Sequence, residues 1–172
     1  MEIVDNFLPS HEFKDLRSNI LGDYFPWYFN EGILSPIKDP FRVSGYHDVG
    51  KYQFTHTFFI PQQKPSKWYS IIHSCLGKIR PKKLFRIKAN LNPKTLSHES
   101  GGYHIDIKNA SSSSTTSIMY INTNNGWTEF ENGDKVECVE NRMVFFDSNI
   151  KHNGVSCTDQ LRKVVINFNY ER

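Results

Sequence analysis

The chain has 172 residues, a length at which one hydrophobic core can bury most of the apolar surface, and we expect a single domain over residues 1–172. Aromatic residues make up 14% of the chain and charged residues 23%, which excludes a disordered tail. The net charge of +3 is well short of the basic excess of a dedicated nucleic-acid-binding protein. No apolar stretch approaches the ~20 residues that cross a bilayer, so we expect no membrane partner and a cytoplasmic location.

Residues 1–83 predict helices and supporting strands. The first helix is expected over Ser10–Leu21, with Ser10 as its N-cap. A second helix is predicted over Ser66–Ile79, because apolar residues recur there at helical spacing. Between the helices, residues 23–65 are rich in aromatic residues and interrupted by Pro and Gly, which favours short strands and loops.

From residue 84 to residue 172 the pattern changes to short strands separated by turn signals such as Asn-Gly and Gly-Gly. Closely spaced strands of this kind predict an antiparallel jelly roll or barrel, so the fold class is α+β and mainly β. The serine- and threonine-rich run Ser111–Ser117 predicts a flexible loop. The predicted strands are FRIKANL, YHIDI, SIMYIN, TEF, KVECV, RMVFF and KVVINFNY.

The segment YHIDI carries a candidate metal site. His104 and Asp106 are two residues apart, so on a strand both side chains point to the same face. His152 follows 48 residues later, and antiparallel pairing can bring it back beside them. Two imidazoles and one carboxylate leave three positions of a metal open, which is the facial arrangement of non-haem iron(II) oxygenases. Structural zinc sites are instead closed by four ligands.

Arg162 lies ten residues after His152 and adds a second argument. In LRKVVINFNY the alternation places Arg162 on the face of Val164 and Ile166, while Lys163 points to the other face. An arginine on the apolar face of a core strand is costly unless it meets a negative charge. A dicarboxylate co-substrate supplies that charge, and a guanidinium binds carboxylate bidentately. We therefore expect Arg162 to point inward and to anchor such a co-substrate.

These residues resemble a known family, the iron(II)- and 2-oxoglutarate-dependent dioxygenases, and within it the small prolyl-hydroxylase-like proteins carried by bacteriophages. The resemblance covers about residues 85–172, through HxD, YIN, NGWTEFENG, NRMVFFDSNIKHNGV and the arginine at the tenth position after the last histidine. It implies a double-stranded β-helix, or jelly-roll, core with N-terminal flanking helices. For a phage-encoded protein, the cytoplasm is that of the host.

The resemblance also implies a dioxygenase that uses Fe(II), 2-oxoglutarate and O2, and that hydroxylates an unidentified substrate with formation of succinate and CO2. The substrate class stays open between a small molecule, a protein side chain and a nucleic acid, and the oligomeric state stays open as well. The iron ligands implied are His104, Asp106 and His152, and Arg162 is implied to bind the distal carboxylate of 2-oxoglutarate.

Three further residues are candidates for co-substrate binding. The family often has an Asn-x-Tyr pattern on the strand before HxD; here Asn90 is kept and Asn92 replaces the tyrosine. Some branches place a serine two residues after the arginine, where this chain has Val164. Tyr120 is then a candidate for the missing hydroxyl group.

Two rival functions stay open. A non-catalytic jelly-roll binding or virion-associated module takes up no metal, and a cupin-like metalloenzyme binds metal but does not use 2-oxoglutarate. The basic stretch Lys78–Lys88 is interpreted as a solvated helix end and strand edge, with a nucleic-acid or acidic-substrate surface as the alternative.

Overall fold

The computed structural model describes residues 1–32, 51–107, 110–111 and 113–172. Residues 33–50 of the segment predicted as short strands and loops lie outside the described residues. The helices of the described part are α1 (Ser10–Leu21), a 3₁₀ helix (Tyr69–Ile72) and α2 (His73–Ile79), which follows it directly. None of them is long and apolar enough to cross a membrane.

The bounds predicted for α1 are confirmed, but its predicted N-cap is wrong. Ser10 is the first helical residue, and Pro9 occupies the N-cap with no side-chain cap hydrogen bond. The Pro9 carbonyl accepts the first helical hydrogen bond, from the Phe13 N–H over 3.0 Å. A proline can stand here because the first N–H groups of a helix have no partner inside the helix.

The described strands form two antiparallel sheets. They are β1 (Glu2–Val4), β2 (Tyr28–Glu31), β3 (Tyr52–Phe59), β4 (Lys83–Pro93), β5 (Ser114–Tyr120), β6 (Trp127–Phe130), β7 (Lys135–Glu137), β8 (Met143–Asp147), β9 (His152–Val155) and β10 (Arg162–Glu171). The larger sheet has the order β1-β8-β5-β10-β4-β3-β2, and the smaller one has the order β7-β6-β9. The fold is therefore mainly β with few helices, as the sequence predicts.

The larger sheet is packed on both faces. Ile166 and Phe168 of β10 belong to the main core cluster, together with Phe13 and Leu16 of α1. Val165, which points to the opposite face of the same strand, belongs to a second cluster between the two sheets. One face of β10 is thus covered by helices and the other by the smaller sheet.

The serine- and threonine-rich run is not the flexible loop that its composition predicts. Ser112 lies outside the described residues, but Ser114–Ser117 begin β5, which is buried along its whole length. Three of these four hydroxyl groups have side-chain partners, and Ser117 Oγ lies 2.9 Å from the Tyr170 hydroxyl. Small side chains whose hydroxyls find partners are compatible with a central strand, and composition alone does not distinguish this case from a loop.

Candidate metal centre

His104, Asp106 and His152 lie together beside β9. His104 and His152 form one antiparallel bridge, in which each backbone N–H donates to the other carbonyl over 3.0 Å. The predicted strand YHIDI is reduced to this bridge. His104 Nε2 lies 3.7 Å from Asp106 Oδ1, and His152 Nε2 lies 4.0 Å from Asp106 Oδ2. Ligand atoms from the three residues all lie within 4.8 Å of one another, close enough to surround one metal ion.

Each imidazole is oriented by a contact of its Nδ1 atom, the ring nitrogen that is not a candidate metal ligand. His104 Nδ1 lies 3.0 Å from the Gly102 carbonyl, and His152 Nδ1 lies 3.3 Å from the Ile150 carbonyl. Because a carbonyl oxygen only accepts, Nδ1 carries the proton in both contacts and Nε2 has a free lone pair. Histidines that bind metals are commonly oriented in this way.

His152 Nε2 is a buried atom that lacks a partner. Among the described residues it makes no hydrogen bond. Burial lowers the pKa of His152 to about 4, so the ring is neutral near pH 7. A buried polar atom left unpaired costs about 1–3 kcal/mol, and a metal ion bound at Nε2 removes that cost. Two imidazoles and a carboxylate suit iron(II), so the residues present fit this ion.

Asp106 is held as an ionised carboxylate. Arg86 Nη2 donates to Oδ1 over 2.8 Å, and Asn169 Nδ2 donates to Oδ2 over 3.0 Å. Burial alone raises the pKa of Asp106, but Arg86, the two histidines and the Asn169 hydrogen bond outweigh it and hold the pKa well below its usual range. The carboxylate is thus charged and fixed in orientation, ready to bind a cation.

Arg86 and Asn169 were not identified from the sequence, although a signal for them exists. In FRIKANL the apolar residues Phe85, Ile87 and Ala89 alternate with polar ones, and KVVINFNY alternates in the same way at its end. Arg86 lies directly opposite Asn169 in the pairing of β4 with β10. The polar positions of these two strands mark the face that contains the candidate metal centre.

Lys88 is a second cation on this face of β4. In the part of the chain that the structure describes, its ammonium group makes no hydrogen bond and has no carboxylate within 4.0 Å. Burial and repulsion from Arg86 lower the pKa of Lys88 to about 8, against a weaker effect of Asp106. This end of the basic stretch Lys78–Lys88 therefore points inward, contrary to its interpretation as a solvated strand edge.

The Lys88→Met variant of the metal-free protein is expected to be more stable than the wild type near pH 7. The pKa of Lys88 is about 8 in the folded chain against an ordinary value of 10.5, so a charged Lys88 opposes folding by at most about 3 kcal/mol. This cost is fully present below pH 8 and declines as the pH rises towards 10.5, because the unfolded chain then loses the proton too. Urea unfolding at pH 7 and pH 9.5 measures the difference. An equal gain at both pH values, or an equal gain for Met at the exposed Lys67, contradicts the prediction.

The structure contradicts the prediction that Arg162 points to the metal site. Arg162 Nη2 donates to the Leu21 carbonyl at the end of α1 over 2.9 Å. The alternation along β10 was predicted correctly, but the face of Arg162 is the one that packs against the helices. Lys163 faces the smaller sheet, where its buried ammonium donates to the carbonyls of Trp127 and Val155 over 2.6 and 2.8 Å.

Asn90 and Asn92, the two candidates on β4, lie on the same face as Lys163. Asn90 Oδ1 is buried without a hydrogen-bond partner among the described residues. Asn92 lies directly opposite Lys163 in the pairing of the two strands. Together with Gly154 of β9, Asn92 lines a cleft of about 90 Å³. The structure thus brings both asparagines to the interior between the sheets.

Tyr120, the third candidate, lies between the two sheets as well. It is fully buried and lies opposite Val165 on β10. Its hydroxyl group donates to Thr128 Oγ1 over 2.8 Å and so connects β5 with β6. Burial raises the pKa of Tyr120, which keeps the hydroxyl protonated.

A scan against protein-family models finds no match, and a search of the curated proteins finds none either. Solved structures are similar over almost the whole chain. A prolyl hydroxylase from Trichoplax adhaerens, in complex with a hypoxia-inducible-factor peptide, has 16% identity and a TM-score of 0.61, over 99% of this chain and 83% of that one. A prolyl-4-hydroxylase from Pseudomonas putida has 13% identity and a TM-score of 0.57, over 99% and 92%.

A third similar solved structure is that of an enzyme with a different reaction. The non-haem α-ketoglutarate-dependent epimerase SnoN, from nogalamycin biosynthesis, has 10% identity and a TM-score of 0.63, over 98% of this chain and 75% of that one. At such identities the similarity concerns the fold. The chain therefore has the fold of prolyl hydroxylases and of other 2-oxoglutarate-dependent enzymes, and its own site must indicate its chemistry.

Proposed function

We propose that this protein is an iron(II)- and 2-oxoglutarate-dependent oxygenase. The observation that carries the proposal is the His104, Asp106 and His152 cluster, in which a buried, unpaired imidazole nitrogen lies beside an ionised carboxylate. Such a cluster occupies one side of a metal ion and leaves the other side for a bidentate co-substrate and O2. The similarity of the fold to 2-oxoglutarate-dependent enzymes agrees with this function, but a fold alone does not establish a function.

Lys163, in place of Arg162, is our candidate anchor for the distal carboxylate of 2-oxoglutarate. Its ammonium group contacts the Val155 carbonyl, three residues along β9 from His152, which is about 10 Å of strand. A five-carbon dicarboxylate spans an interval of this order between a metal and a cation. Burial lowers the pKa of Lys163, and a carboxylate beside the ammonium stabilises its charged form.

The order of the strands agrees with the proposal. Two facing antiparallel sheets, with β8-β5-β10-β4 at the centre of one and β7-β6-β9 in the other, are compatible with the proposed double-stranded β-helix. In that arrangement the bridge of His104 to His152 extends the smaller sheet beyond β9. The metal ligands then lie between the sheets, where a bound co-substrate is shielded from water.

Bound together, iron(II), 2-oxoglutarate and O2 supply the oxidation, in which the co-substrate is converted to succinate and CO2 and the substrate is hydroxylated. The protein fixes the orientation of the metal ligands and forms their surroundings. Arg86 and Asn169 fix the orientation of Asp106. Phe146 packs against His152, with ring centroids 4.8 Å apart, and helps to keep water from this ligand. A dry, fixed set of ligands is the part of such catalysis that a protein provides.

An anaerobic titration with iron(II) and 2-oxoglutarate tests the proposal. A weak visible charge-transfer band is expected when both are bound. If iron binds but no band appears with 2-oxoglutarate, the protein is a metalloenzyme of the cupin-like kind. If no metal binds at all, it is a non-catalytic jelly-roll module.

The Gly154→Leu variant is expected to bind iron normally and to bind 2-oxoglutarate about tenfold or more weakly. A Cβ atom at Gly154 lies 3.7 Å from Lys163 Nζ and meets nothing else within 4 Å, so a longer side chain enters the space beside the ammonium. Titration of the charge-transfer band with 2-oxoglutarate measures the change. Gly77→Leu on α2, where an added Cβ meets nothing within 4 Å, is the control, and unchanged affinity in Gly154→Leu contradicts the placement of the co-substrate.

A further inference from the structure

The polar face of β4 offers more positive charge than the proposed reaction requires. Arg86 and Lys88 follow each other at alternate positions, and both point to the side of Asp106. On the neighbouring strand β10, Asn169 lies opposite Arg86 and Asn167 lies opposite Lys88. These four residues form a polar surface beside the metal ligands, which we name the β4–β10 polar surface.

Lys88 makes no polar contact that holds the described elements of the fold together. Its ammonium makes no hydrogen bond or ion pair with the residues that the structure describes, and the residue is half-buried. Asn167 Nδ2 lies 3.4 Å from Asp106 Oδ2, but Asn167 Oδ1 is buried without a partner among the same residues. An ammonium group that is partly withdrawn from water and has no partner among these residues costs free energy in the empty protein. A ligand that accepts from Lys88 removes that cost.

The charges of the proposed complex point to an anion. The two charges of iron(II) and the charge of Lys163 are balanced by Asp106 and by the two carboxylates of 2-oxoglutarate. Among the described residues, Arg86 and Lys88 then remain as half-buried positive charges without a further carboxylate partner. A neutral substrate leaves this excess in place, whereas a negatively charged substrate neutralises it.

The co-substrate is a poor candidate for this anion. Lys88 lies opposite Asn167, whereas Lys163 lies opposite Asn92, four residues further along β4 and about 13 Å away. On its other side Lys88 pairs with Thr57 of β3, so it extends the site sideways from the metal, towards β3. The two lysines therefore serve two different ligands.

We propose that Lys88, assisted by Arg86, binds a negatively charged group of the substrate, a carboxylate or a phosphate, beside the metal centre. This inference rests on the proposed function for the identity of the neighbouring ligands, and it names the chemical class of the substrate. Arg86 already contacts Asp106 over 2.8 Å, so it orients the metal ligand and the substrate anion together. Lys88, whose three donors are not used by any described residue, makes the principal contact.

Binding to the metal-free protein tests the proposal independently of catalysis. The ε-methylene NMR signals of labelled lysines are followed during titration with inorganic phosphate and with acetate at constant ionic strength. The Lys88 signal, assigned by its loss in Lys88→Gln, is expected to shift saturably with at least one of the two anions, and which anion binds more tightly identifies the group. A Lys88 signal that moves no more than that of the exposed Lys67 overturns the proposal.

A second measurement separates this proposal from the proposed function. In the anaerobic iron(II) and 2-oxoglutarate complex, Lys88→Gln is expected to show the charge-transfer band at the same 2-oxoglutarate concentrations as the wild type. Added phosphate or acetate is expected to perturb the band of this variant about tenfold less effectively than that of the wild type. Lys67→Gln is the matched control. Loss of the band in Lys88→Gln alone assigns Lys88 to the co-substrate and overturns the inference. Absence of the band in the wild type counts against the proposed function, whereas the NMR result stands by itself.

Discussion

Asp106→Ala is expected to abolish turnover of 2-oxoglutarate and to weaken iron(II) binding by more than about 100-fold, since loss of residues that merely support a ligand already costs 10–100-fold. Asp106 is the one anionic member of the three-residue cluster, and its oxygens lie 3.7 and 4.0 Å from the two imidazole nitrogens. Without it, the cluster has no negative charge to oppose Arg86, whose positive charge repels a metal cation. Anaerobic iron(II) titration and succinate formation measure the two effects.

Two controls make this result specific. Asp23→Ala removes an exposed carboxylate far from the cluster and is expected to leave iron binding unchanged. Asp106→Asn keeps an acceptor for Arg86 but removes the charge, so it tests whether a folded protein without the carboxylate still binds iron. Full activity in Asp106→Ala, or wild-type iron affinity in Asp106→Asn, contradicts the assignment of Asp106 as a metal ligand.

The three proposed metal ligands were identified from the sequence because their spacing carries geometric information. His104 and Asp106 are two residues apart, and His152 follows after the strands that return the chain to the same place. The structure brings them together even though only His104 of the YHIDI segment pairs with a strand. Spacing therefore predicts the cluster better than it predicts the local secondary structure.

The orientation of β10 was not predictable by the same reasoning. Both faces of this strand are buried, so the apolar face that carries Val164 and Ile166 indicates contact with helices as readily as contact with a ligand. Arg162 stands at the end of the strand, where it is only half-buried and reaches a helix carbonyl. The cost assumed for an arginine on an apolar face thus disappears at a strand end. Asn167 and Asn169, on the same face as Lys163, were the better indication of the site.

The serine- and threonine-rich run shows a related limit of composition. Low complexity predicts a loop only when the hydroxyl groups have no fixed partners. Here Thr116 Oγ1 lies 3.0 Å from Ser148 Oγ and accepts from Asn169 over 3.1 Å. Asn169 in turn donates to Asp106, so a strand of small polar residues supports the metal centre through its partner strand. Such long-range pairing has no signature in the run itself.

Lys163→Met is expected to weaken 2-oxoglutarate binding by about 100-fold or more, with iron(II) binding retained, whereas Arg162→Met is expected to leave both unchanged within about twofold. The two residues are adjacent basic side chains on opposite faces of β10, so they form a matched pair. Lys163 directs its ammonium between the sheets, and Arg162 directs its guanidinium to the Leu21 carbonyl. Titration of the charge-transfer band with 2-oxoglutarate measures both affinities.

The Lys163 variant also loses two structural hydrogen bonds, so its folding must be controlled. Removal of the ammonium leaves the carbonyls of Trp127 and Val155 without this donor, which costs about 1–3 kcal/mol for each buried group. Gly154→Leu blocks the same space while Lys163 stays in place, and agreement of the two variants assigns the effect to the co-substrate. A large loss of affinity in Arg162→Met, with wild-type affinity in Lys163→Met, reverses the assignment. That outcome requires Arg162 to leave Leu21 and turn through the sheet, which a side chain on the helix-covered face of a buried strand does not do without local unfolding.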